Sequence, residues 1–171
     1  MKRKNEAEQP EAIAPEGVEP GGDLVMPLVA ALDDPSVAVA GPFGIVSDDL
    51  RRFRDPAEDA VDVDAIEGYA LAFRRADYLE RGPLDEHFAF YRNLDIWWSL
   101  VLRDQADDAD DDTPPRRAVR VLRVPVTRHE HRGWTSVAPE ERDRLSKRNF
   151  YRFLDHWGNR RDLLLHPAAD E

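Results

Sequence analysis

Asp95 stands among aromatic residues. In the string FAFYRNLDIWWSLVLRD, helical spacing of about 100° per residue puts it beside Tyr91, Trp98 and Leu102, at the margin of an apolar face. A carboxylate there loses part of its water, which makes it a stronger proton acceptor near neutral pH. An ordinary residue at the edge of a helix face would read the same way. His129 and His131 form a His-Glu-His run. Alternate residues of an extended segment point the same way, so both imidazoles could face one metal or phosphate. Arg128, Arg132 and Trp134 beside them make a basic, aromatic loop suited to an anionic group or a sugar. The competing reading is a structural loop with a hydrogen-bonded histidine. Asp62-Val63-Asp64 has the Asp-x-Asp spacing that can hold a divalent cation through oxygen, although such a pair arises easily in an Asp-rich chain. The acidic run Asp107–Asp112 lacks the Gly and bidentate Glu of a calcium loop and reads as solvated. Gly-x-Gly-x-x-Gly, P-loop and Gly-x-Ser-x-Gly motifs are absent, and Ser146-Lys147 reads as helix surface.

These residues need elements to hold them. The spacing predicts a long helix over about 86–103, with Phe90, Leu94, Trp97, Trp98 and Val101 on one broad apolar face. A second runs over about 139–157. Pro139 suits its first position, Glu140 and Glu141 its positive end, and Gly158 its stop. Leu145, Phe150, Phe153, Leu154 and Trp157 form its buried stripe. Met26–Leu32 reads as the end of a helix, halted by Asp33-Asp34-Pro35, and Ala76–Glu80 as one helical turn. Strands are predicted over Ser36–Ala40, Ala65–Arg74 and Ala118–Val126, with a turn at Gly41–Gly44 and an edge or bulge at Pro125. Strands separated by helices indicate an α/β or α+β domain.

The 171 residues suffice for one domain with a real core. Residues 1–22 read as a disordered acidic tail, 23–168 as the domain, and 104–117 as an acidic, Pro-containing loop within it. The net charge of −11 argues against general binding to nucleic acid or anionic lipid. The absence of cysteine excludes disulfides, thiolate nucleophiles and cysteine metal sites. The longest apolar runs fall well short of the ~20 residues of a membrane span. The basic start has no apolar stretch of the kind found in secretory signals, so a cytoplasmic location is the default expectation.

The string EGYALAFRRADYLERGPLDEHFAFYRNLDIWWSLVLRD resembles the central part of family 2 glycosyltransferases with the GT-A fold. A strand bearing Gly68 leads to Arg74-Arg75. The Gly82-Pro83-Leu84-Asp85-Glu86-His87-Phe88 turn follows, and then Tyr91 and Asp95 at an acidic helix start. PVTRHEHRGW resembles the family's histidine segment after a strand. RDRLSKRNFYRFLDHWG resembles the C-terminal helix of bacterial members, and LVAALDDPSVAVAGP the segment where a helix meets a core strand. The match runs from about Leu28 to Leu165.

The resemblance implies an incomplete GT-A-like (Rossmann-like) three-layer sandwich: a mixed sheet of few strands with two long helices. It implies inverting transfer from a nucleotide-sugar to a saccharide or glycosylated acceptor, aided by a divalent cation, Mn or Mg. Asp95 matches the base, Asp85 and Glu86 would line the acceptor pocket with Trp97, Trp98 and Trp134, and His129, His131 and Arg132 would approach diphosphate or metal. The chain departs from the family in three ways. Leu94 stands where a Glu is usual, Ala14–Glu19 offers no Asp-x-Asp, and the donor-nucleotide half has no counterpart before Leu28. Asp62 and Asp64 lie where the family has no metal site. Three expectations follow: a glycosyltransferase-like chain that keeps acceptor-side residues and lacks full donor binding, a non-catalytic glycan- or protein-binding module, or a homodimer through an open sheet edge.

Overall fold

A computed structural model describes residues 17–88, 93–105, 115–129 and 137–168. The chain is mixed α/β. It has strands β1 (Val18–Pro20), β2 (Val37–Gly41), β3 (Gly44–Ile45), β4 (Asp62–Val63), β5 (Ala65–Ile66), β6 (Ala72–Phe73), β7 (Arg117–Arg120) and β8 (Val126–Arg128), with helix α1 (Val25–Ala31) after β1, α2 (Arg75–Arg81) and α3 (Leu94–Arg103) between β6 and β7, and α4 (Pro139–Trp157) after β8. The central sheet has the order β4-β7-β2-β6. Its β2–β7 pair is parallel, and the outer pairs are antiparallel. Two antiparallel ribbons, β1–β8 and β3–β5, stand beside it.

Every residue of β2 is buried, as expected for a strand covered on both faces. A register irregularity between Val37 and Val39 breaks its alternation. Val37 and Ala40 pack with Val119, Ala31 and Leu32 on the α1 side. Ala38 and Val39 pack with Val63, Ala118, Trp98 and Leu102 on the α3 side. A further core joins Ile45, Leu50 and Ala65 to Ile96 and Leu100 of α3, Phe153 and Trp157 of α4, and Leu163 and Leu164 beyond it. These layers set α3 across the sheet in a fixed direction. The Arg103 carbonyl accepts the Arg116 N–H just before β7, while the helix start reaches Gly68. The N-terminus of α3 therefore points to the end where β2 and β7 finish.

Helix α4 spans the residues predicted for it. Its buried positions are Leu145, Asn149, Phe153 and Trp157, so the stripe follows four-residue steps, and Phe150 lies at its edge. Gly158 ends the helix in right-handed rather than left-handed conformation. A Cβ there would lie 2.5 Å from the Leu154 carbonyl, so close approach is what calls for glycine.

Several expectations are corrected. The strand predicted over Ala65–Arg74 is two strands, β5 and β6, separated by a turn at Gly68–Ala70. The strand predicted over Ala118–Val126 ends at Arg120, and the left-handed Arg123 (φ 61°) turns the chain before β8. Helix α3 begins at Leu94, not near Glu86, behind a left-handed Asn93 (φ 67°). Within the predicted tail, Val18–Pro20 pairs with β8, and Asp23 accepts the N–H groups of Val25 and Met26 at the start of α1. Residues 1–16, and the acidic run Asp107–Asp112, lie outside the described residues.

Candidate functional site

Four segments distant in sequence meet beyond the C-terminal ends of β2 and β7, the end at which open α/β sheets place their ligands. Phe43 follows β2 by two residues, and its carbonyl accepts the Glu67 N–H at 2.9 Å. Its ring meets Tyr69 edge to face at 5.8 Å. The Arg128 guanidinium lies over both rings, 5.4 Å from Phe43 and 5.3 Å from Tyr69, and donates to Glu67 at 2.7 Å. Asp95 enters from the first turn of α3. Its carboxylate accepts the Gly68 N–H at 2.8 Å and the Ile96 N–H at 2.9 Å. The turn comes so near α3 that a Cβ on Gly68 would stand 3.3 Å from the Asp95 Cβ.

Burial holds the Glu67 carboxyl above its ordinary value. Arg128 pulls it down, and Asp95 and Asp55 add to the upward push. Only 20% of the Glu67 side chain is exposed, against 40% for Arg128. The site thus offers a half-buried, more basic carboxylate, a second carboxylate fixed by backbone donors, a cation on an aromatic pair, and the positive end of α3.

Asp85 and Trp97 belong to a different cluster, on the α4 side of α3. Asp85 contacts His87 Nδ1 at 2.7 Å and accepts from Arg152 Nε at 2.7 Å. Partial burial pushes its carboxyl up, but hydrogen bonds with the His87 backbone and ring and with Arg152 outweigh this and hold it below its ordinary value. Trp97 packs against His156, with ring centroids 4.7 Å apart, and against Phe88 at 5.2 Å. The predicted acceptor set is therefore divided. Glu86 is exposed beside Asp85, and Trp98 is removed from any surface role: it is 2% exposed and packs on Phe73 and Tyr78 in the core. Trp134, His131 and Arg132 lie outside the described residues. His129 is exposed at the β1–β8 ribbon, with Nε2 3.1 Å from Glu19.

The Asp62–Asp64 pair does not converge. The chain bends at Asp64 between β4 and β5, which sends the two carboxylates to different places. Asp62 is on the surface and accepts from Arg117 at 2.7 Å. Asp64 is 1% exposed and accepts the N–H groups of Ser47 at 2.7 Å and Leu165 at 2.8 Å. Both carboxylates serve the fold, and this pair does not fit a divalent cation. Among the described residues, no group of three His, Asp or Glu side chains is placed to hold a metal ion.

No protein-family model, curated protein or solved structure matches the chain. Among the described residues, no helix is long and apolar enough to cross a membrane.

Sequence reasoning found Asp95 and noted Arg128, but it passed over Glu67, Phe43 and Tyr69. The available signal was Gly68. A glycine between an acid and a tyrosine marks a close backbone approach, and close approach buries its neighbours.

Proposed function

We propose that this chain is a glycosyltransferase-like saccharide-binding protein, corresponding to the acceptor side of a family 2 transferase. The observation that carries the reading is the meeting of Glu67, Asp95 and Arg128 at the ligand-binding end of the sheet. They come from two of the segments that resemble that family, Glu67 and Asp95 from the central string and Arg128 from the histidine segment. Carboxylates bind sugar hydroxyls by accepting hydrogen bonds from them, and the Phe43–Tyr69 pair offers rings of the kind sugars pack against.

If a nucleotide-activated sugar is delivered to this face, the chemistry follows from the two carboxylates. The acceptor oxygen attacks the anomeric carbon and forms the new C–O bond. The bond from that carbon to the diphosphate breaks, and its electron pair leaves with the nucleotide diphosphate. The hydroxyl proton passes to a carboxylate. Glu67, raised by burial, is the better acceptor of the two, and Asp95, fixed by the Gly68 N–H, orients the hydroxyl. Since Asp62 and Asp64 are engaged with Arg117 and backbone donors, no step is routed through a cation here.

A second reading, a non-catalytic glycan-binding module, is favoured by that same engagement of Asp62 and Asp64. Calorimetric titration with methyl glycosides tests both readings. Expected is millimolar binding, weakened at least tenfold in Glu67→Gln. No binding by any glycoside would overturn the proposal. Adding UDP or dTDP with and without manganese tests for a donor site: metal-dependent binding favours a working transferase, and its absence leaves an acceptor-side remnant or binding module without turnover.

A further inference from the structure

Beside the Glu67–Asp95 cluster lies an open groove of about 420 Å³. Its walls are Leu24, Val25, Leu28 and Val29 from α1 and its approach on one side, and the Gly68–Ala72 segment on the other. Val25 is 65% exposed and Val29 46%, although both are aliphatic. A concave surface lined by aliphatic side chains offers an apolar group a place to lie.

The groove and the polar cluster share one turn. Gly68 gives its N–H to Asp95, and the Tyr69 ring lies under Arg128; both residues also line the groove. A ligand bound at the carboxylates thus has a neutral, aliphatic channel starting at its side. Among the described residues no charged side chain lines that channel, so an anionic or cationic tail would lose its water there without compensation.

We infer that the acceptor is amphipathic: an uncharged hydroxyl-bearing head at Glu67 and Asp95, joined to a single alkyl-type chain that lies between α1 and Leu71. The inference rests on the saccharide-binding reading of the cluster. The groove buries one side of such a chain, so each methylene tightens binding by about twofold, roughly half the effect of full burial.

The test is a series of methyl, hexyl and octyl glycosides sharing one head group, titrated below their micelle concentrations. Expected is about fourfold tighter binding from hexyl to octyl. The dependence on chain length should vanish in Val25→Asp, which leaves the affinity for the methyl glycoside unchanged. Val25 is exposed, so this variant keeps its fold, and an unchanged melting temperature checks that. Equal affinity of methyl and octyl glycosides would overturn the inference while the saccharide site stands. Equal binding of the octyl glycoside by the native chain and Glu67→Gln would overturn both, since the head would not then be held at the carboxylates.

Discussion

Glu67 holds its proton more tightly in the folded chain than in the unfolded one, because burial and two facing carboxylates disfavour its charge. The sign of the pH effect follows. Below its ordinary value of 4.5 both states are protonated, and the group favours folding to its full extent. As pH rises from there to the raised folded value, only the unfolded chain releases the proton, and stability falls. Above the folded value the loss is complete and constant. Glu67→Gln removes this titration. Denaturant unfolding of both proteins between about pH 4 and pH 8 should therefore show the native chain losing stability relative to the variant as pH rises. A difference independent of pH would mean that Glu67 is not buried as described. Asp85 works in the opposite sense. Its lowered value favours folding above the ordinary carboxylate range and gives that up on acidification.

Among the elements, the one most open to prediction was α4. Pro139 at its start, acids in its first turn and a large apolar residue at most four-residue steps all agree, and the helix forms where they place it. The second predicted strand failed because AIEGYALAFR alternates well enough to look continuous. What breaks it is tertiary: the Gly68 N–H goes to Asp95, 27 residues away, rather than to a neighbouring strand. For the same reason Gly68 only hints at Glu67, whose surroundings are supplied by Phe43, Arg128 and Asp95 from elsewhere in the chain. The burial of Asp64 was not legible because an Asp-x-Asp pattern says nothing about which backbone donors surround each carboxylate. The packing of β2 on β5 yields a sharp prediction. A Cβ on Gly41 would stand 2.3 Å from Ile66 Cγ2 and 2.5 Å from the Ala70 carbonyl, an overlap with a buried side chain and with backbone. Gly41→Ala should lose about 3 kcal/mol in thermal or denaturant unfolding. Gly21→Ala, whose nearest non-adjacent atom would be 3.5 Å away, should stay within about 1 kcal/mol.

At the scale of the whole molecule, the centre is closed by residues far along the chain. Arg103 is 3% exposed and donates to the carbonyls of Asp64, Arg116 and Leu163. Its burial pulls the guanidinium below its ordinary value, with Asp64 and Asp62 opposing that pull. Asp64 takes one of its two backbone donors from Leu165. Leu163 and Leu164 fill the core beside Phe153 and Trp157. Ending the chain after Arg160 would remove those leucines, one acceptor of Arg103 and one donor of Asp64 together. The expected loss exceeds about 5 kcal/mol, comparable to the entire stability of many domains. A truncated chain that still unfolds in one cooperative transition near the native midpoint would refute this.

That closure also sets a clock for synthesis. The Asp64 carboxylate is made early, but its Leu165 partner is 101 positions later, so a nascent chain carries an incompletely satisfied acid for most of its translation. At roughly 5–20 residues per second this delay lasts about 5–20 seconds, far longer than a helix or hairpin needs to form. The final packing step therefore waits until Leu165 has left the ribosome. A premature stop before Leu163 would release a chain that holds its secondary structure but remains exposed to proteases at its centre.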